Sequence, residues 1–167
     1  ASGLAYAHDK NIVHSDFKPG NAFYTTARAV KILDFGIARA APMGRQEASE
    51  ETRFDPSMLG ALTPSYAATE MFDGREPHPA DDVYALAIVA YQLLSGRHPF
   101  GSKPAPQARA EKLAPTPIKG LKRRQWRAIA HGLAFDRADR SQNAAEFLRE
   151  IEGSNRVKII LSGAVLI

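Results

Sequence analysis

Asp16, Lys18 and Asn21 place a carboxylate, an ammonium group and an amide within the short stretch HSDFKPGN, residues 14–21. A proline and a glycine separate them, so the stretch is predicted to be a loop rather than a helix. A second carboxylate, Asp34, follows further along the chain. Two carboxylates and an amide oxygen form a hard-oxygen ligand set that suits Mg²⁺ together with phosphate. The ammonium group of Lys18 would neutralise a nearby phosphate, so these residue types indicate phosphate chemistry.

Both aspartates follow short apolar segments that are predicted to be strands. Residues 12–13 form a candidate strand before the first loop, and residues 30–33 precede Asp34. Residues 22–24 are predicted to pair with residues 30–33 around a turn at 25–29. Loop carboxylates positioned by rigid strands are frequent in catalytic sites, so both aspartates are candidates for chemistry.

The segment 80–95 is apolar on nearly all faces, which is typical of a helix buried in a core. It begins with Asp81 and Asp82, and Gly96 is a suitable residue for ending it. We therefore predict a central core helix, which is too short to span a membrane. The other predicted segments are a helix ending near Asn11, a long loop over 37–62, a proline-rich connection over 101–118 with a short helix at 106–113, and helices over 121–135 and 144–151, the last with Ser141 as its N-cap.

The composition is that of a soluble globular protein with one domain. The 167 residues are 44% hydrophobic and 24% charged, and the net charge is +4. The absence of cysteine excludes a disulfide scaffold and cysteine-ligated zinc. Residues 1–13 show no signal-peptide pattern. The chain starts without methionine and stops within the apolar run 159–167, so we expect a fragment of a longer protein.

A basic run surrounds Trp126 in the second half of the chain. Such a run could contact nucleic acid, but it is more often the solvated face of a helix, so no nucleic-acid partner is predicted. The histidines at 8, 78, 98 and 131 lack the paired spacing of metal ligands and are predicted to lie on the surface or in loops. The members of the basic run are Lys119, Lys122, Arg123, Arg124 and Arg127.

The stretch HSDFKPGN, followed by Asp34-Phe35-Gly36, resembles two motifs of the eukaryotic-type protein kinases, H-R-D-x-x-x-x-N and D-F-G. Three later segments resemble further kinase motifs in the family's order, at residues 63–70, 82–86 and 136–141. These ordered matches make the chain similar to the bacterial Ser/Thr kinases of this type. The resemblance implies an α+β, mainly helical fold: the large, C-terminal lobe of a protein kinase, with a small β cluster and without the N-terminal lobe.

The resemblance implies catalytic roles for the polar loop residues. Asp16 would be the base that orients the substrate hydroxyl and accepts its proton, and Lys18 would steady the transferring phosphoryl group. Asn21 and Asp34 would hold the metal ions that bridge the phosphates of ATP. Phe23 would form part of the floor under the adenine. The implied metal is Mg²⁺, with Mn²⁺ as the alternative.

The resemblance also implies residues that support or regulate the site. His14 and Phe35 would stack in a packing column that joins the two kinase lobes, and Asp82 would hold the backbone of the catalytic loop from below. Glu70 would pair with Arg140. The structural and regulatory candidates are His14, Ser15, Phe35, Gly36, Arg39, Thr63, Glu70, Asp82 and Arg140.

Lys18, two residues after Asp16, and Thr63 in the later loop form the Ser/Thr-kinase pattern rather than the Tyr-kinase pattern. The implied reaction is transfer of the γ-phosphoryl group of ATP to Ser or Thr hydroxyls of a protein substrate. The alternative is a kinase-like binding module without catalysis. No glycine-rich phosphate loop and no strand lysine are found in the sequence, so this fragment alone is expected to be inactive.

Ser15 departs from the family pattern, which usually has an arginine that binds a phosphorylated activation loop. Arg39 would offer only part of a basic pocket. We therefore expect activation to depend weakly, or not at all, on phosphorylation of Ser49, Thr52 or Ser57.

Residues 1–152 are predicted to form the kinase lobe, and residues 153–167 a juxtamembrane linker. Arg156 and Lys158 precede the apolar run 159–167, and basic flanks are typical of the cytoplasmic side of a membrane helix. The hypothesis is a cytoplasmic domain anchored to the inner or plasma membrane by a helix that begins in this run.

Overall fold

The computed structural model describes residues 1–35, 39–40 and 62–153, with only the backbone described at 39–40. These residues form a mainly helical lobe with two small antiparallel sheets, as the sequence predicts. The helices are α1 (Ser2–Asp9), α2 (Thr69–Phe72), α3 (Pro79–Ser95), α4 (Ala105–Ala110), α5 (Arg123–Gly132) and α6 (Ala144–Glu152), and the strands are β1 (Ile12–Val13), β2 (Ala22–Tyr24), β3 (Val30–Ile32) and β4 (Arg39–Ala40).

Helix α3 is the core of the lobe, and α1, α5 and α6 contribute to the same hydrophobic cluster. Its side chains from Ala80 to Val89 are all buried, which agrees with the apolar pattern of the segment. His78 caps the start, because its Nδ1 accepts a hydrogen bond from the Ala80 N–H at 3.1 Å. Gly96 ends the helix with a φ of +74°, a left-handed conformation that glycine adopts without strain.

Helix α5 approaches α3 and α6 closely at Gly132. A Cβ atom at this position would lie 2.8 Å from the Ala87 Cβ and 2.9 Å from the Phe147 ring. Only glycine lets the three helices meet at this distance, so the packing of the last two helices against the core helix depends on it.

Two antiparallel pairs of strands accompany the helices. β2 pairs with β3, with Phe23 opposite Lys31, as the sequence predicts. β1 pairs with β4, with Val13 opposite Arg39. The second pair was not predicted, because residues 37–62 were interpreted as one long loop. The structure therefore adds a strand directly after the Asp34-Phe35 segment.

Several predicted boundaries were wrong. α1 ends at Asp9 rather than near Asn11, and α4 covers 105–110 instead of 106–113. Helix α2 was not predicted at all. Asn143 caps α6, because its side chain accepts the Glu146 N–H at 2.9 Å. Ser141 does not cap this helix. It is buried, and its hydroxyl donates to Glu150 at 2.9 Å.

A buried ion pair joins α2 to the segment before α6. Arg140 Nη2 donates to Glu70 Oε2 at 2.5 Å, and both residues are buried. Burial alone would raise the pKa of Glu70, but the hydrogen bond and charge of Arg140 outweigh it and hold that pKa below its ordinary value. Arg140 also donates to the carbonyl oxygens of Ala134, Phe135 and Ala80. Each nitrogen of the guanidinium thus donates at least one hydrogen bond, as the burial of a charge requires.

Asp81, at the start of α3, extends this network. It accepts two hydrogen bonds from Arg137, at 3.1 and 2.9 Å. Burial raises the pKa of Asp81 to about 6, although Arg137 acts in the opposite direction. The backbone N–H of Arg137 donates to Glu70 at 2.6 Å. Two arginines and two carboxylates therefore fix α2 against the start of α3.

We expect Arg140→Met to destabilise the chain by about 3–5 kcal/mol, because the Glu70 carboxylate would stay buried without its partner. The matched control is Arg109→Met, which breaks the exposed pair with Asp136 and should cost less than about 1 kcal/mol. Urea unfolding of both variants measures the difference. Equal free energies of unfolding for the two variants would contradict this account of the buried pair.

Candidate functional site

The backbone of the loop that carries Asp16 is held by hydrogen bonds to one buried carboxylate. Asp82, in the first turn of α3, is only 1% exposed. Its Oδ2 accepts the His14 N–H at 2.7 Å, and its Oδ1 accepts the Ser15 N–H at 2.9 Å. Hydrogen bonds to a charged acceptor are stronger than those between neutral groups. The core helix therefore fixes the loop backbone immediately before Asp16.

His8 gives Asp82 a third hydrogen bond. The His8 Nδ1 accepts the Ala144 N–H at 3.1 Å, so the ring carries its proton on Nε2 and donates it to Asp82 Oδ2 at 2.9 Å. The prediction of a surface or loop position for His8 was wrong, because the residue is 8% exposed. Its spacing from Leu4, four residues earlier on the buried face of α1, is the signal that could have located it.

His14 connects the loop to the segment that carries Asp34. Its Nδ1 accepts the Asp16 N–H at 3.3 Å, and its Nε2 donates to the Leu33 carbonyl at 3.0 Å. The His14 ring lies 4.6 Å from the Phe35 ring, centroid to centroid. The structure thus brings together the two residues that were predicted to stack.

Two residues of the site adopt left-handed backbone conformations. Ser15 has a φ of +68° and Asp34 a φ of +60°. Residues other than glycine rarely adopt this region, and such conformations cluster at functional sites. The surrounding hydrogen bonds hold Ser15 in place, because its N–H is bound to Asp82.

Asp16, Lys18 and Thr63 form a compact polar cluster. Lys18 Nζ donates to Asp16 Oδ2 at 2.6 Å and to Thr63 Oγ1 at 2.8 Å. The Thr63 N–H donates to Asp16 Oδ1 at 3.1 Å. The side chain of Asp16 is 10% exposed and that of Lys18 is 30% exposed. Both side chains thus have a fixed geometry and still reach solvent, as groups that meet a substrate must.

Asn21 supplies an amide oxygen next to this cluster, and Asp34 directly follows a residue that is bonded to Asn21. Asn21 Nδ2 donates to the Asp16 carbonyl at 2.9 Å, which fixes the amide and leaves Oδ1 without a hydrogen-bond partner among the described residues. The Asn21 carbonyl accepts the Leu33 N–H at 2.8 Å, so the residue before Asp34 is tied to Asn21. Asp34 is exposed. An amide oxygen and a carboxylate fit Mg²⁺, which takes few protein ligands and completes its shell with water and phosphate.

Large apolar side chains are exposed on the β2–β3 pair and on the segment that follows it. Phe23 is 60% exposed and Phe35 is 39% exposed. Tyr24, Val30 and Leu33 are also large and exposed. Gly36 and the side chain of Arg39 lie outside the described residues, as do the three candidate phosphorylation positions.

His98, which sequence reasoning missed, supports the loop that carries Thr63. Its Nδ1 accepts the Phe100 N–H at 3.1 Å, and its Nε2 donates to the Ser65 carbonyl at 2.9 Å. The ring lies edge-on to Tyr66 at 5.9 Å. The bond that Nδ1 accepts from Phe100 requires a neutral imidazole, and burial lowers the pKa of His98 although the Ser65 carbonyl acts in the opposite direction. The contact therefore depends on pH.

Comparison with known proteins identifies the family. The sequence model of the protein kinase domain matches residues 1–158. The chain belongs to the protein kinase domain family. Within this kinase domain, Asp16, Asn21 and Asp34 occupy the motif positions at which the sequence resembles the family.

Bacterial Ser/Thr kinases are among the curated relatives of this kinase domain. The serine/threonine-protein kinases drp72 of Corynebacterium efficiens is 42% identical over 100 residues, which cover 60% of this chain and 18% of that protein. Pkn1 of Myxococcus xanthus is 41% identical over 121 residues, 68% of this chain and 16% of that protein. PknA of Mycobacterium tuberculosis is 41% identical over 97 residues, which cover 58% of this chain and 21% of that protein. The chain thus spans about a fifth of the length of these relatives.

Solved kinase structures share the fold of this chain. The kinase PK-1 of the Cydia pomonella granulovirus superposes with a TM-score of 0.70 at 22% identity, covering 89% of this chain and 53% of that one. The apo form of PpkA-294 superposes with a TM-score of 0.66 at 22% identity, and the match covers 90% of this chain and 50% of that one. The predicted fold class, a kinase large lobe of mainly helical α+β type, is confirmed.

We expect His98→Ala to destabilise the chain by about 1–2 kcal/mol near pH 7.5, the worth of two hydrogen bonds. The folded state disfavours the protonated ring, so this contribution is present above the ordinary pKa of 6.5 and is lost as the pH falls below it. Unfolding by urea at pH 7.5 and pH 5.5 tests this, with His131→Ala as the control for deleting an exposed histidine. A loss of stability in His98→Ala that is as large at pH 5.5 as at pH 7.5 would contradict this prediction.

Proposed function

We propose that this chain is the large lobe of a Ser/Thr protein kinase that transfers the γ-phosphoryl group of ATP to protein hydroxyls. The observation that carries the proposal is the cluster of Asp16, Lys18 and Thr63, held beside Asn21 and Asp34. The membership in the kinase family supports it. The serine/threonine-kinase names of the bacterial relatives support the choice of hydroxyl substrates.

Asp16 acts on the substrate hydroxyl. Its carboxylate is fixed by Lys18 and by the Thr63 N–H, at 2.6 and 3.1 Å, and each oxygen keeps a lone pair for a further donor. A Ser or Thr hydroxyl that donates to Asp16 would be oriented for attack, and the carboxylate would take up its proton. Positioning is the main contribution, because phosphoryl transfer needs little covalent chemistry from the protein.

Lys18 steadies the transferring phosphoryl group by its charge. Its ammonium group lies between Asp16 and Thr63 and can donate a third hydrogen bond to a phosphate oxygen. Asn21 Oδ1 and the Asp34 carboxylate are the atoms that would hold Mg²⁺, or Mn²⁺ in its place. The chemistry that a divalent ion held there would supply is neutralisation of the charge that develops on the phosphates.

The exposed apolar side chains fit the nucleotide. Phe23 lies on β2, next to the loop that ends at Asn21, and 60% of its surface is exposed. An aromatic ring in this position would form part of the floor under the adenine. Phe35, stacked on His14, continues the apolar surface toward the second lobe of a complete kinase domain.

Regulation is proposed to be weakly dependent on phosphorylation. Ser15 is buried, and its backbone N–H is bound to Asp82. A serine at this position brings no positive charge to the loop, so a phosphorylated activation segment would lack a charge-assisted contact here.

The proposed organisation is a kinase lobe over residues 1–152 followed by a linker, in a cytoplasmic domain that is anchored to a membrane. In the part of the chain that the structure describes, none of the helices has the length and hydropathy to cross a bilayer. The apolar run 159–167 lies outside that part. Translating the coding sequence beyond residue 167 tests the anchor, since a further ten or so apolar residues are needed to complete a span.

We expect Asp16→Asn to lower phosphoryl transfer by about 10²–10⁴-fold, the usual worth of a catalytic base. The measurement follows transfer from labelled ATP to a generic protein substrate, using the longest natural protein that contains this chain. Asp9→Asn, which alters an exposed aspartate on α1, is the control and should leave the rate unchanged.

Full activity of the Asp16→Asn variant would refute the role of Asp16. A wild-type protein that binds ATP but transfers no phosphoryl group would instead favour the non-catalytic kinase-like binding module.

A further inference from the structure

The positive charge of this chain is concentrated in one segment. Residues 112–135 contain six lysine and arginine residues and no aspartate or glutamate. The whole chain has 22 basic and 18 acidic residues, so the remainder holds 16 basic against 18 acidic. The segment alone therefore accounts for the positive net charge of the protein. Five of the six residues form what we call the basic surface, defined as Lys119, Lys122, Arg123, Arg124 and Arg127.

The basic surface is exposed and largely unneutralised. All five side chains are exposed. Arg123 and Arg127 lie four residues apart on α5 and so share one face of the helix. None of the five takes part in an ion pair within the described parts of the chain. The neighbouring helix α6 carries Glu150, which is bonded to His131 and Ser141, and the exposed Glu152.

These charges oppose the stability of the helix that carries them. Lys122 is the N-cap residue of α5, and Arg123 and Arg124 follow in its first turn, which contains no acidic residue. The N-terminus of a helix is the positive end of its dipole, so cations there are unfavourable. Helix α3 shows the usual arrangement, with Asp81 and Asp82 in its first turn. Helix stability therefore does not explain Lys122 and Arg123 at this end of α5.

The basic surface lies beside the last described residues of the lobe. Arg124 donates to the Ile151 carbonyl at 3.2 and 2.8 Å and to the Glu152 carbonyl at 2.5 Å. These bonds fix the start of α5 against the end of α6. Six residues after Gly153 the apolar run 159–167 begins. An extended chain covers at most about 3.6 Å per residue, so the run starts within roughly 20 Å of Gly153.

We propose that the basic surface binds the anionic headgroups of a membrane. With the membrane anchor proposed above, on which this inference rests, the bilayer would lie near the end of α6, to which Arg124 is bonded, and headgroup phosphates could reach the exposed cations. Lysine and arginine near an anionic membrane surface are each worth about fivefold in affinity. A nucleic acid fits less well, because Trp126 packs on the core beside Tyr91 and offers no ring for base stacking. The inference is independent of phosphoryl transfer.

The test is co-sedimentation of the 167-residue chain with vesicles of pure phosphatidylcholine and with vesicles containing 30% phosphatidylglycerol. We expect tighter binding to the anionic vesicles, which weakens as sodium chloride is raised. Arg123→Glu together with Arg127→Glu should weaken that binding by about 25-fold or more. The matched control is Lys31→Glu together with Arg75→Glu, which changes the net charge equally on other exposed surfaces and should retain most of the affinity.

Thermal unfolding separates lost binding from lost folding. Arg123→Glu places a carboxylate in the first turn of α5, so the double variant should melt at or above the wild-type temperature. If the double glutamate variant fails to fold, Arg123→Gln with Arg127→Gln replaces it. We expect this variant to bind the anionic vesicles about 25-fold more weakly than the wild type. Equal binding to both kinds of vesicle, equal loss in the control, or tighter binding to duplex DNA than to anionic vesicles would each overturn the proposal.

Discussion

The buried carboxylate of Asp82 is the interaction on which the site depends. It accepts hydrogen bonds from the backbone of His14 and Ser15 and from the ring of His8. A carboxylate that is 1% exposed is tolerated only when donors satisfy it. The loop backbone and the carboxylate therefore hold each other in place. Because Asp82 lies on the core helix, the position of Asp16 is set by the most deeply packed element of the lobe.

Two adjacent residues in the first turn of α3 serve two different networks. Asp82 binds the loop that carries Asp16, and Asp81 binds Arg137 and lies 3.5 Å from Arg140. Arg140 in turn holds Glu70 at the end of the segment that begins with Thr63. The loop that carries Asp16 and the segment that carries Thr63 are thus both connected to the first turn of α3. Carboxylates at a helix N-terminus are also favoured by the dipole, which offsets part of the cost of burying them.

Local patterns predicted much of this molecule, and distant contacts explain the rest. The core helix and the β2–β3 hairpin follow from periodicity and turn residues within short segments. Strand β4 has two residues and no periodicity, so it becomes visible only with its partner β1. Asp16, Lys18 and Asn21 were found because they lie within six residues. The supporting roles of His8 and His98 were not predicted, because the groups that they bind lie 74 and 33 positions away in the chain.

The most direct test of this account is residue-resolved hydrogen exchange in the Asp82→Asn variant. An asparagine turns one acceptor into a donor, so it cannot accept from both backbone amides and from the His8 ring. We predict that the His14 and Ser15 amides exchange about 10–100-fold faster, the worth of a hydrogen bond to a charged group. Asp81→Asn should leave both amides protected. Unchanged protection of His14 and Ser15 in Asp82→Asn would contradict the claim that this carboxylate fixes the loop that carries Asp16.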